Sequence, residues 1–274
     1  MAQLRIISGG VTQRSAKALL IARASEPPRL RLERLAGGVE TACSVTRQPT
    51  VDNALRRALE QRGIRVYLLA ALDLAPGTAY RLKASIPGAP TVHADFDSLP
   101  ERLPSTGLTI AVGSCYYDGY HRDAQLRAAL ALKQWGQVPA FQIWCGDNLY
   151  MDVPAQSHAH RPIEHTLSRY LEYLFDSDYA LVRSLAPTFS AYDDHEFWNN
   201  YPEFQPWLSR TWPNAWQDYR SVALECLELF QSSLNPAAEP GQGYFQFDLR
   251  PLRFFFLDTR SFRVRGRNTD LITP

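Results

Sequence analysis

Three short clusters in this chain carry side chains able to do chemistry: Gly113-Ser114-Cys115, Gly146-Asp147-Asn148-Leu149-Tyr150 and Asp193-Asp194-His195-Glu196. A thiol, a phenol, several carboxylates and an imidazole form a ligand set for first-row metal ions, and carboxylates left over suit magnesium, manganese or calcium. Gly146 lets the chain turn sharply, so that the Asp147 carboxylate projects away from the preceding segment, and its two oxygens can bridge two cations. Tyr150, three positions on, faces the same way if the loop opens with a turn of helix. Asp193 and Asp194 are adjacent. In extended backbone they point to opposite sides, so only one of them reaches a common site and the other caps or orients. Each residue also has a plainer reading: a strand-end cysteine as a small hydrophobe, an aspartate after glycine as a helix cap, a tyrosine as core. It is their grouping that favours the metal site.

The elements that must position these clusters are legible as hydrophobic runs. Leu108–Val112, Phe141–Cys145 and Thr188–Tyr192 are strand-like, and each runs directly into one cluster. In an open α/β sheet, ligands bind beyond the carboxyl ends of the strands, so three such tails converge on one crevice. Helical patterns lie between and after them, at Asp123–Gln137, Thr166–Leu185 and Trp216–Leu234, while Tyr244–Leu249 and Leu252–Leu257 pair as a hairpin across Arg250-Pro251. This alternation predicts a layered α/β sheet covered by helices.

The first hundred residues read differently. Ala18–Ala24, Arg29–Leu35, Val66–Leu72 and Tyr80–Ala84 are strand-length runs bounded by proline or glycine turns, and a fibronectin-like β-sandwich is expected, with a short helix inserted over Val51–Arg62. The stretch from Leu99 to Gly107 has the composition of a linker. The predicted architecture is therefore α/β with an all-β N-terminal domain. Its bounds are 1–104 for the sandwich and 105–274 for the α/β domain.

Charge and composition narrow the partners. The net charge of +1 hides 15 Lys+Arg against 9 Asp+Glu in residues 1–104 and 14 against 19 in residues 105–274. The arginines of the first part are scattered through strand-like runs rather than grouped, which argues against a nucleic-acid partner. With 45% hydrophobic and 21% charged residues the chain has ample material for a core. Its longest apolar runs, such as Val66–Leu72, fall well below the roughly 18 residues of a membrane span. The N-terminal residues lack a signal-peptide or twin-arginine pattern, so a cytoplasmic location is expected. Cys43, Cys115, Cys145 and Cys226 contain no Cys-x-x-Cys pair, consistent with reduced thiols.

Taken in order, Gly113-Ser114-Cys115, Gly146-Asp147-x-x-Tyr150, Asp193-Asp194-His195-Glu196 with Asn199-Asn200, and Leu257-Asp258-Thr259-Arg260-Ser261-Phe262-Arg263 resemble the successive signatures of PhoD-like phosphatases, the alkaline phosphatase D family. These are similar to calcineurin-like metallophosphoesterases, and in the family a β-sandwich precedes the phosphatase domain. The resemblance implies a phosphomonoesterase or phosphodiesterase using iron and a second cation, calcium or else manganese or magnesium. It further implies that Cys115 and Tyr150 bind iron, that Asp147 bridges, and that Asp194 binds the second metal with Asn200, or else Asn199, as a further ligand. His195 would steady the phosphoryl oxygens or protonate the leaving group. Arg260 or Arg263 would hold a phosphate oxygen, although each is also suited to pair with Asp258 or solvent. The mechanism so implied is that of two cations about 3.5–4 Å apart activating water for in-line attack on phosphorus. The substrate that the resemblance implies is a phosphate ester, either a small molecule or phospholipid-like.

Two departures accompany the resemblance. Tyr192 stands where the family often has tryptophan. The superfamily takes imidazole ligands from a later segment, and no histidine follows His195. The expectation is a chain that ends before its α/β domain is complete, with a non-catalytic binding module or an inactive phosphatase remnant as the alternative function. A cysteine-nucleophile phosphatase is a further competitor, but the Cys115-to-Arg122 spacing is longer than a phosphate-wrapping loop and includes the bulky Tyr116 and Tyr117. His158, His160 and His165 make a metal triad on paper only, since their Pro- and Ser-containing surroundings read as a solvated loop.

Overall fold

A computed structural model describes residues 3–24, 26–35, 41–43, 45–47, 53–117, 122–152, 162–202, 216–236, 244–261 and 263. The N-terminal strands are β1 (Gln3–Val11), β2 (Ala16–Arg23), β3 (Arg29–Arg34), β4 (Thr41–Cys43), β5 (Val45–Arg47), β6 (Ile64–Ala71), β7 (Ala79–Ser85) and β8 (Val92–Asp97). Helix α1 (Ala54–Gln61) precedes β6, with the Asn53 side chain accepting from the backbone N–H of Arg56 at 2.9 Å. Then come β9 (Ile110–Gly113), α2 (Arg122–Gln134), β10 (Phe141–Cys145), α3 (Pro162–Phe175), α4 (Ser177–Arg183), β11 (Thr188–Ala191), α5 (Trp216–Phe230), a short 3₁₀ turn (Ser232–Leu234), β12 (Phe245–Leu249) and β13 (Leu252–Phe256).

The strands expected from hydrophobic runs are present. β1, β4, β5 and β8 join them. Their order, however, links the two halves of the chain. A seven-stranded sheet runs β5-β6-β2-β1-β11-β10-β9, and a four-stranded sheet runs β4-β3-β7-β8. The N-terminal strands of the large sheet are antiparallel, whereas β9, β10 and β11 are parallel, and β1 meets β11 in parallel with Gly9 opposite Thr188. Mixed pairing of this kind is common in large sheets.

β2 shows why the join is stable. Its alternate residues go to two different cores. Ala18, Leu20 and Ala22 pack with Leu32, Leu82 and Phe96 of the four-stranded sheet, while Leu19 and Ile21 pack with Leu55, Leu59 and Leu167 from α1 and α3. A strand covered on both faces reads as a continuous apolar run, which is how Ala-Leu-Leu-Ile-Ala appears in the sequence. The segment after β8 is likewise anchored: Leu99 is buried, its N–H donates to the Thr12 carbonyl at 3.0 Å, and Leu103 N–H donates to the Arg250 carbonyl at 2.7 Å.

The parallel strands that lead to the chemical clusters are held by aromatic rings. Phe189 of β11 is fully buried, stacks on Phe247 with ring centroids 4.2 Å apart, and meets Phe141 of β10 edge-on at 5.2 Å. The β12–β13 hairpin thus covers one face of β10 and β11. α3 and α5 lie in the other core, with Tyr170 stacked on Phe230 at 5.1 Å. The Thr166–Leu185 pattern resolves as two helices. Asp176 separates them and caps α4, accepting from the N–H groups of Asp178 and Tyr179 at 2.9 and 2.8 Å.

Candidate metal centre

Because β9, β10 and β11 are parallel neighbours, their carboxyl ends bring the three clusters to one place. Backbone hydrogen bonds then tie the loops together. Cys115 N–H donates to the Gly146 carbonyl at 3.2 Å, Tyr116 N–H to the Asp147 carbonyl at 2.8 Å, and Met151 N–H to the His195 carbonyl at 3.0 Å.

The side chains meet accordingly. Asp147, Asp193 and Asp194 each offer a carboxylate oxygen, all within 4.8 Å of one another. The Cys115 thiol lies 3.5 Å from Asp147 Oδ2, and the Tyr150 hydroxyl is hydrogen-bonded to Cys115. Burial raises the Asp147 carboxyl above its ordinary range, and Asp194 and Asp193 add to that rise against the opposing pull of His195. Burial, with the charges of Asp147 and Cys115, also holds the Tyr150 phenol above its usual value. Anionic groups crowded together in this way are relieved by a cation. An oxygen-rich set with one thiol and one phenol fits a hard or borderline first-row ion beside a second, oxygen-preferring one.

The backbone is strained where this site is built. Among the described residues, four non-glycine positions have positive φ, and three of them are Cys115 (60°), Asp147 (51°) and Asn200 (61°). Such strain clusters at functional sites, where surrounding contacts over-determine it. Gly146, at φ 102°, has no alternative: a Cβ there would lie 2.7 Å from both Cβ and N of Asp193. Its role is to let two loops touch.

Several expectations need correction. Asp193 and Asp194 do not diverge to opposite sides. β11 ends at Ala191 and the chain bends at Asp194, so the alternation of an extended strand no longer applies and both carboxylates join the cluster. No turn of helix carries Tyr150, which follows a pair of bends instead. Arg260 does not pair with Asp258. Its guanidinium makes an ion pair with Asp193 and lies 3.2 Å from Asp194 Oδ1, while Asp258 accepts from the N–H groups of Arg260 and Ser261 at 3.0 and 2.9 Å and from the Tyr192 hydroxyl. Arg263 donates its backbone N–H to the Arg260 carbonyl at 3.1 Å, which closes that turn. Asn200 is exposed, and its backbone N–H donates to Asp194.

His195 sits with its ring centroid 4.1 Å from that of Tyr150 and its Nδ1 2.8 Å from Asp152 Oδ1. Burial opposes a charged imidazole, but the Asp152 hydrogen bond and the charges of Asp152, Asp147 and Asp194 outweigh it and raise its pKa. Asp152 is itself buried, with Oδ2 accepting from Asn199 N–H at 2.8 Å. Sequence reasoning assigned neither Asp152 nor Glu196 a role. Asp152 lies two positions past Tyr150 and offered that proximity as its signal. Glu196 is fully buried, and its two oxygens accept three backbone N–H groups, from Asp147, Asn148 and Asp193. Burial pushes its carboxyl up to about 8 despite those donors.

His165 is bound elsewhere, its Nε2 3.0 Å from the Met151 carbonyl, whereas His158, His160 and the Arg122 side chain lie outside the described residues. Cys145 is exposed.

A mixed sheet whose parallel strands end in a carboxylate, thiol and phenol cluster defines an α/β protein with a candidate metal site. The chain belongs to the PhoD-like phosphatase family, whose model matches residues 110–270. It is also similar in fold to a solved structure described as "Structure of PhoD", with a TM-score of 0.66 at 20% identity, covering 96% of this chain and 53% of that one. The chain thus spans about half the length of that relative. A twitchin kinase fragment from C. elegans matches at a TM-score of 0.24 and 13% identity, over 38% of this chain and 22% of that one. No curated protein sequence matches the chain. No helix among the described residues is long and apolar enough to cross a membrane.

Proposed function

We propose that this chain carries the site of a metal-dependent phosphoric ester hydrolase that directs water in line at phosphorus, acting on phosphomonoesters or phosphodiesters of small molecules or phospholipid-like substrates. The observation that carries the reading is the meeting of Asp147, Asp193 and Asp194 within 4.8 Å, with the Cys115 thiol 3.5 Å from Asp147. In this reading Cys115 and Tyr150 would hold iron, Asp194 and Asn200 would hold a second cation, calcium or else manganese or magnesium, and Asp147 would serve both. When bound, such cations neutralise phosphate charge and lower the pKa of water at neutral pH.

The chain's own residues do the rest. Asp152 holds His195 Nδ1, which leaves Nε2 as the imidazole nitrogen free to bind or protonate a phosphoryl or leaving-group oxygen. Arg260 shields the paired charges of Asp193 and Asp194 and is the cation best placed to exchange one of them for a phosphate oxygen. Arg263, one turn on, is the secondary candidate. We read residues 1–104 as a fibronectin-like sandwich and 105–274 as the α/β domain, supported by two facing β layers in the first part and parallel strands in the second.

Metal analysis of the purified chain, together with hydrolysis of p-nitrophenyl phosphate and its bis ester, tests the reading. Iron held by the Tyr150 phenolate absorbs visible light, and Tyr150→Phe removes that band. A colourless protein whose iron is shown to be ferric excludes Tyr150 as its ligand.

A further inference from the structure

Glu196 sits beneath the cluster rather than in it. It contributes no oxygen to the carboxylate group formed by Asp147, Asp193 and Asp194. Instead one oxygen accepts from Asp147 N–H at 3.1 Å and Asp193 N–H at 3.0 Å, and the other accepts from Asn148 N–H at 2.6 Å. A single buried carboxyl group therefore grips the backbone of two loops, one leaving β10 and one leaving β11. These are the loops that Gly146 allows into contact, and one of the gripped residues, Asp147, is held at a φ of 51°. Groups that orient metal ligands without touching the ion commonly change affinity by about 10–100-fold when removed.

We propose that Glu196 is the positioning residue of the metal centre: by binding the N–H groups of Asp147, Asn148 and Asp193 it sets the gap between the β10 and β11 loops and so assembles the carboxylate pocket before any cation arrives. This rests on the metal reading of the site given above. The nearby alternatives are weaker. Buried Arg183 is already packed on Trp144 and Tyr179 with its guanidinium 3.4 Å from the Ser190 hydroxyl, and the exposed Val112 and Trp135 carry nothing that says what would cover them.

Glutamine at position 196 keeps the shape but replaces one acceptor oxygen with a donor, so at least one backbone N–H faces another N–H. The test titrates Mn²⁺ into the full chain by calorimetry, for wild type, Glu196→Gln and Asp147→Asn. The expected result is tight binding by wild type and an affinity about 10-fold or more weaker for Glu196→Gln. Wild-type affinity in a folded Glu196→Gln variant overturns the positioning role alone. Absence of Mn²⁺ binding by wild type overturns the metal reading and this proposal with it. A second measurement needs no variant: amide hydrogen exchange in the chelator-treated wild type over residues 147, 148 and 193. Slow exchange there without metal is expected, and fast exchange overturns pre-assembly even if Glu196→Gln does not fold.

Discussion

The thiol of Cys115 lies 3.5 Å from Oδ2 of Asp147, across the gap between the ends of two adjacent parallel strands. Asp147 is thus shared: one oxygen faces the Cys115 side, and the other accepts from His195 N–H at 3.3 Å on the β11 side. Asp147→Asn is expected to lower phosphate-ester hydrolysis by about 100-fold or more while leaving circular dichroism unchanged, because one side chain serves both halves of the centre. Unchanged activity removes Asp147 from the site. Dialysis against a strong chelator has the same expected effect; activity that survives chelation but is lost on thiol alkylation would instead favour a Cys115 nucleophile.

Gly146→Ala tests the contact between loops. The added methyl meets Asp193 at 2.7 Å, and φ 102° is strained for alanine. Strain of this kind costs of order 1–3 kcal/mol. The variant should therefore melt at a lower temperature and lose most activity, although no functional group has been touched. Wild-type activity and stability together would show that the loops are free to separate.

Asp152→Asn removes the partner that orients His195. The asparagine keeps the shape but no longer offers a carboxylate to Nδ1, and a fall of about 10–100-fold in kcat is expected with KM little changed. Steady-state kinetics on a nitrophenyl ester measures this. An equal fall in His195→Ala and in the double variant is the signature of two residues acting as one unit, and additive losses would contradict it.

Phe189→Ala probes how the hydrophobic layer supports the site. Phe189 is fully buried and stacked on Phe247, and losing such a ring typically costs about 3–5 kcal/mol. β11 ends two residues before Asp193, so urea unfolding should show the loss in stability, and Mn²⁺ affinity should fall with it. Stability within about 0.5 kcal/mol of wild type would mean that the hairpin does not hold β11.

What the sequence determined by itself is local. Hydrophobic periodicity located the parallel strands, since Phe141–Cys145 and Thr188–Tyr192 are short apolar runs followed at once by polar residues. It also placed Cys115, Asp147, Tyr150, Asp194 and His195 at strand ends, where an α/β sheet collects its chemistry. Tertiary structure decided what no spacing carries. That β1 lies beside β11, joining the two halves in one sheet, follows from a pairing between residues 9 and 188, far apart in the chain. Asp193 turned inward because the backbone leaves extended geometry at a bend, where the two-residue alternation of a strand ceases to hold. Arg260 found Asp193 and Asp194 instead of its sequence neighbour Asp258, and Glu196 took backbone N–H groups from two loops, because burial leaves a charged group only the partners that packing brings within reach.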